Sequence, residues 1–441
     1  MKKVIFFTFI CLIFSSNSFS QTASDSKSKG IVVSNSVDEE EGTVEDFNKL
    51  IALNPKSAKS YYSRGLAKSK TGDIQGAISD YDKAIELNAG FAEAYNGRGI
   101  AKSGSGDAKG ALIDFNKALE LSPKDASTFN NRGLAKSRLN DFRGAITDFN
   151  WALELNSELT EAYYNRGYAK SKLGDNQGVI DDCNKVILLD PNYAMAYNNR
   201  GSAKLGSGDL QGAFADYNKA IALKPENAMA YFNRGGAKYK TRDYPGAIVD
   251  YNKAIELSPK MAELYYRRGI VKMFMRDYKG AISDNDKAIE LNPFYAEAFG
   301  SRGSAKSGTK DYKGALTDFN KSIELNPLLA EVYGNRGSLK SDLHDYNGAI
   351  SDYNKAIELN PKLVGAFVGR GLVKSESRDF KGAISDFDKA IEMSPKYAEA
   401  YVGRGIAHIL SNDKSSGCAD LNSAKALGSA RAVELISKYC K

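Results

Sequence analysis

From Ala58 onward, apolar and polar positions run in two alternating helical stripes. In the segment 92–125, "AEAYNGRGIAKSGSGDAKGALIDFNKALELSPKD", Tyr95, Gly99 and Lys102 fall at helical spacing. Gly106-Asp107 signals a turn, and Ala111, Phe115, Ala118, Leu119 and Leu121 mark a second amphipathic helix that Pro123 stops. The pattern repeats. Arg-Gly recurs at Arg64, Arg98, Arg132, Arg166, Arg200, Arg234, Arg268, Arg302, Arg336, Arg370 and Arg404, always 34 residues apart and without insertion or deletion. One helical hairpin cannot bury its own apolar face, so the eleven copies are expected to stack on one another.

Places are counted here from the first residue of each copy, such as Ala92. The 34-residue period, an aromatic at place four, Gly at eight, Ala at twenty and twenty-seven and Pro at thirty-two resemble the tetratricopeptide repeat. The resemblance covers 58–428. It implies an all-α fold, an α-solenoid of stacked helical hairpins forming a right-handed superhelix, and a generic role in binding proteins or peptides.

The chain departs from the family pattern at four places. Place seven is Arg in every copy, where the family usually carries an apolar residue; place sixteen is Asp, from Asp73 to Asp413. Place twenty-three is also Asp, from Asp80 to Asp420, and place eleven is Lys from Lys68 to Lys374, with His408 last. The Arg and Lys share a stripe with places four and eight, so they face packed helices. An internal ladder of Arg–Asp contacts is expected, one per hairpin; a basic binding stripe is the alternative. Such pairs add little net stability, because desolvation opposes the Coulomb gain, but they can fix register.

The ends divide the rest of the chain. "VEDFNKLIALNP", Val44 to Pro55, matches a second helix without its first, with Asp46 in the Asp80 place, so 44–57 reads as an N-terminal half-repeat cap. "SARAVELISKYC", Ser429 to Cys440, makes 429–441 a C-terminal capping helix. Residues 21–43, Ser-rich and then acidic ("DEEE"), read as a disordered linker. Lys2, Lys3, the apolar run Val4 to Phe14 and the small residues before Gln21 make 1–20 a signal peptide, with a retained anchor as the competing reading. The expected location is therefore exported: periplasm, outer cell surface or medium. No later segment approaches the length of a membrane span, so no membrane insertion is expected after cleavage.

Composition narrows the function classes. Hydrophobic residues at 42% and charged residues at 26% fit a folded protein. The formal charge of +7 falls to +5 without Lys2 and Lys3, a surplus too diffuse to argue for nucleic acid. In an oxidising compartment Cys418 and Cys440 can form a disulfide; simple burial is the other reading.

In the family the first-helix stripe of places two, five, six, nine, twelve and thirteen lines the peptide-binding surface. Place six is Asn in Asn131, Asn165, Asn199, Asn233 and Asn335. Primary amides suit pairing with an extended backbone. The row resembles the asparagine ladder of O-linked N-acetylglucosamine transferase; a solvated residue copied by duplication is the alternative. The same stripe carries Tyr164, Tyr168, Met195, Met229, Phe232, Tyr239, Tyr266, Met273 and Phe274, residue types enriched at binding surfaces, and about half are expected to be exposed. The candidate peptide contacts are Asn131, Asn165, Tyr168, Asn199, Phe232, Asn233, Tyr239, Tyr266 and Arg267. The Lys–Asn clamp of chaperone-binding relatives is missing, since place five is never Lys and place nine never Asn. Trp151, the lone Trp, is expected on the outer face of a second helix.

Two His residues supply neither a metal cluster nor a triad, and no Gly-rich phosphate loop follows a strand, so no catalytic residue, metal or cofactor is expected. The expectation is a non-catalytic scaffold that binds a protein or peptide segment in the groove of the superhelix. The alternative is a structural spacer or self-associating repeat protein of the cell envelope.

Overall fold

The structure, a computed structural model, describes residues 42–441. The expected signal segment and the linker up to residue 41 lie outside the described residues. The described residues form twenty-four α-helices and no strand. They divide into two compact units, 42–237 and Lys238–Lys441. Within each unit the helices stack as hairpins, such as Ala92–Gly104 with Ala108–Leu121, each second helix packing on the next first helix.

Local chemistry explains the hairpin. Place fifteen adopts a left-handed backbone in every repeat. It is Gly in Gly72, Gly106, Gly174 and Gly208, and Asn or a basic residue elsewhere, as in Asn140 and His344. Place sixteen follows as the N-cap of the second helix. Asp107 accepts the backbone N–H of Gly110 at 2.8 Å, and the bond recurs in every repeat to Asp413, where Ser416 donates.

In eight of the eleven repeats the second helix seats a ring at place twenty-four against the glycine at place eight. A Cβ on Gly99 would lie 2.6 Å from Phe115, and one on Gly133 would lie 2.6 Å from Phe149, so only glycine admits this approach. Cys183, Asn285 and Leu421 stand at place twenty-four in the other three repeats, and all three are buried.

The Arg–Asp ladder is present. Arg64 donates from Nε and Nη2 to the two oxygens of Asp80 at 2.9 and 2.6 Å, while Lys68 reaches Asp80 Oδ2 at 2.8 Å. The carboxylates are buried and the guanidinium groups half-buried, which excludes a basic stripe free for a ligand at these places. In the last repeat His408 turns to Asp413 instead, at 3.3 Å.

A disulfide joins Cys418 to Cys440 and ties the C-terminal helix Ala430–Tyr439 to the last hairpin. Cys183 is a free, buried thiol whose pKa burial pushes up to about 12. A thiol reagent at about pH 8 is therefore expected to leave Cys183, Cys418 and Cys440 unlabelled in the native chain. Denaturant alone should expose Cys183, and reductant with denaturant should add Cys418 and Cys440. Labelling of Cys418 before reduction would contradict the pairing.

Candidate protein-binding surface

The first-helix stripe divides in two in the structure. Places five, six and twelve enter the seam between successive first helices; place thirteen stays largely open, with two and nine between.

Asn131, Asn165, Asn199 and Asn233 are 3–7% exposed. Their amides face one another across the seam. Asn131 Nδ2 donates to Asn96 Oδ1 of the preceding repeat at 3.2 Å, Asn165 to Asn130 at 3.0 Å and Asn233 to Asn198 at 3.0 Å. Asn198 Nδ2 also reaches Asn199 Oδ1 at 3.4 Å. The expectation that this row faces a guest backbone is corrected. Small, fully buried residues at place three, such as Ala162 and Ala196, bring adjacent first helices together until places five and six oppose each other. A buried amide without a partner costs about 1–3 kcal/mol, and pairing amide with amide avoids that cost.

The apolar candidates are also more buried than expected. Phe232, Tyr239 and Met273 are buried, while Tyr164, Tyr168, Met195, Met229 and Tyr266 are half-buried. Of the nine, Phe274 alone is open, at 40% exposure. In the first unit, the Lys172 ammonium lies 5.3 Å from the Tyr168 ring centroid.

In the second unit a backed aromatic patch surrounds Phe274. Its ring stacks on Tyr244 with centroids 5.6 Å apart and meets Tyr239 edge-on at 5.4 Å. In the same repeat the Tyr266 ring lies 5.0 Å from Tyr295, and Arg267 sits over Tyr266 at 5.6 Å. Arg267 donates from Nε and Nη2 to Glu263 Oε1 at 3.2 and 2.9 Å. Burial, reinforced by Glu263, pushes the Tyr295 hydroxyl far above the ordinary phenol range. Tyr244 and Tyr295 were not among the sequence candidates, because neither lies on the first-helix stripe.

Place thirteen was not singled out from sequence, although its chemistry changes along the array. It holds Lys70, Arg138 and Lys172 in the first unit, and Lys240, Phe274, Asp342, Glu376 and Leu410 in the second. Arg138 donates to Ser103 Oγ at 2.5 Å and to the Ser103 carbonyl. Trp151 is half-exposed, and its ring stacks on Phe129 with centroids 6.2 Å apart. No group of three or more His, Cys, Asp or Glu among the described residues is placed to hold a metal, and no described helix is long and apolar enough to cross a membrane.

Burial, and then the neighbouring Glu376, raises the Asp342 pKa above the ordinary carboxylate value. A carboxylate with a raised folded-state pKa favours the fold while protonated, and that contribution disappears as pH rises through the folded pKa. Asp342→Asn is therefore expected to stabilise the chain at about pH 7, by less than about 1 kcal/mol at so exposed a site. The gain should shrink as pH falls toward ~4 and wild-type Asp342 takes up its proton. Thermal melts at both pH values check this, and a pH-independent difference would contradict it.

Profiles described as tetratricopeptide repeat match 58–91, 92–125, 160–193, 262–295, 296–327 and 330–363, and one described as TPR repeat matches 206–242 and 237–273. No characterised protein sequence matches at a significant level. Among solved structures, one solved as the APC/C hetero-tetramer Cut9–Hcn1 aligns over 90% of this chain and 92% of its own, with 14% identity and a TM-score of 0.51. Yeast Tom70 aligns over 86% of this chain and 93% of its own, at 18% identity and a TM-score of 0.45. YrrB, described as a TPR protein with an unusual peptide-binding site, aligns over 44% of this chain and 99% of its own, at 27% identity and a TM-score of 0.38.

Proposed function

The chain belongs to the tetratricopeptide repeat family, and on that premise we propose that it is a non-catalytic scaffold docking an extended protein segment on the first-helix face of its second unit. The observation that carries this reading is Phe274. It is an open aromatic held by Tyr239 and Tyr244, so its position is fixed before a partner arrives. A preorganised aromatic anchor loses little conformational freedom on binding, which is why such residues dominate interface energetics.

Charge around the anchor favours a segment of mixed chemistry. Lys240 stands at the equivalent place one repeat before Phe274, while Asp342 and Glu376 follow in the second and third repeats after it. An apolar side chain on Phe274, followed along the segment by a basic group toward Asp342 and Glu376, fits this face. The leader at 1–20 places the scaffold outside the cytosol in this reading, with partners in the envelope or beyond.

The test is a display library of extended peptides panned against the purified protein, with dissociation constants measured for the selected sequences. Phe274→Ala is expected to weaken binding about tenfold or more, the scale of a hot-spot aromatic. Trp151→Ala, on a second helix in the other unit, should leave binding unchanged. Equal affinity for wild type and Phe274→Ala would overturn the placement.

A further inference from the structure

The outer face of the second helices carries a recurring ion pair. Place twenty-six is Lys and place twenty-nine is Glu in seven repeats, as in Lys83–Glu86 at 2.7 Å and Lys117–Glu120 at 2.8 Å. In the first unit two consecutive repeats break the pair in opposite ways. Trp151 takes the Lys place before Glu154, and Leu188 takes the Glu place after Lys185. Glu154 and Lys185 each lose the opposite charge that other repeats supply.

The repeat before them adds a third departure. Place twenty-two is Ser or Thr in six repeats, but here it is Ile113. Ile113 is 71% exposed, Trp151 48% and Leu188 72%. Val249 makes the same departure in the second unit, but there Lys253 and Glu256 keep their pair at 2.7 Å.

The three helices concerned, Ala108–Leu121, Phe142–Leu155 and Asn176–Leu189, lie side by side. Arg132 ties the first to the second through Asn116 at 2.9 Å and Asp148 at 2.7 Å. Arg166 ties the second to the third through Asn150 at 2.7 Å and Asp182 at 2.5 Å. From helix to helix the apolar residue advances four places and then three, about 5–6 Å along the axis. With neighbouring helices about 10 Å apart, Ile113, Trp151 and Leu188 mark a diagonal with steps of about 11 Å. Seven residues of an α-helix rise about 10.5 Å, so a straight helix on this diagonal brings residues i, i+7 and i+14 onto the three contacts. A strand repeats its face about every 6.7 Å and does not fit such steps.

Charge divides along the same line. Lys109, Arg143 and Lys185 lie on the side nearer the helix N-termini, and Glu154 lies on the other, beside the paired Lys117 and Glu120. Asp181, on the basic side, accepts a bond from Gln177 Nε2 at 2.9 Å. The middle of the line is held in place. The Trp151 ring stacks on Phe129, and the Arg132 guanidinium covers Phe129 at 5.3 Å.

We propose that this outer face of the first unit docks an amphipathic helix of a partner protein. Apolar residues seven apart on that helix seat on Ile113, Trp151 and Leu188. Acidic groups on one flank meet Lys109, Arg143 and Lys185, and a basic group on the other meets Glu154. The surface shares no residue with the groove around Phe274, so the scaffold holds two different partner segments.

A display library of single helices of about 21 residues, long enough to stay helical, tests the proposal. It is panned on the Phe274→Ala chain, so that the aromatic groove does not select, and dissociation constants are then measured on wild type. Selected helices should carry apolar residues seven apart, with acidic and basic groups on opposite flanks. Ile113→Ser, Trp151→Lys and Leu188→Glu each install the residue that other repeats carry at that place, so circular dichroism should report unchanged helix content. Each should bind the selected helices about tenfold more weakly or worse. Lys185→Glu should weaken them as well. A library without binders, helices lacking the seven-residue register, or equal affinity for wild type and Leu188→Glu would each overturn the proposal.

Discussion

Each guanidinium at place seven holds three groups at once, and the regularity of the array depends on this. Arg200 donates from Nε and Nη2 to Asp216 on the second helix of its own repeat, at 2.9 and 2.6 Å, and from Nη1 to Asn184 on the preceding second helix, at 2.6 Å. Its planar face covers the Tyr197 ring at 5.3 Å. The bond to the preceding second helix and the ring contact recur in all eleven repeats, from Arg64 with Asn48 and Tyr61 to Arg404 with Asp388 and Tyr401. Lys cannot replace Arg here, because an ammonium offers no fork and no plane. The buried carboxylate must be paired once it leaves water, so the cluster fixes the spacing of consecutive second helices whatever its net stability.

That constraint decides which surfaces remain for binding. Arg and Lys are committed to Asp, and place-five and place-six amides are committed to each other, so little of the repeated chemistry is left for a ligand. The variation lies where the ladder does not reach: at place thirteen, at the Phe274 patch and on the outer face around Trp151. An array of near-identical units can recognise a partner only through such departures, and here they are basic, aromatic and acidic in turn.

The period, hairpin boundaries and Arg–Asp ladder were legible in the sequence because eleven copies repeat them without a break. The asparagine row was misplaced because a helical wheel treats one helix in isolation, whereas place six here has a neighbouring first helix beside it. The corrective signal was present. Asn131, Asn165 and Asn233 each have an Asn 35 residues earlier, at Asn96, Asn130 and Asn198, which is a pair across the seam. The exposure of Phe274 depends on what adjacent repeats place around it, and no single-repeat pattern contains that. Near the C-terminus the strict period breaks. Leu427 and the left-handed Gly428 end the last hairpin early and shift the final helix by two residues. A fixed 34-residue count therefore assigns its faces incorrectly.

Site-resolved hydrogen exchange on Arg200→Met tests most directly whether this side chain couples consecutive second helices. The account predicts lost protection in both Asn176–Leu189 and Leu210–Leu223, while Tyr346–Leu359 keeps its protection. Lost protection confined to Ala194–Gly206, the helix that carries the substitution, would contradict it.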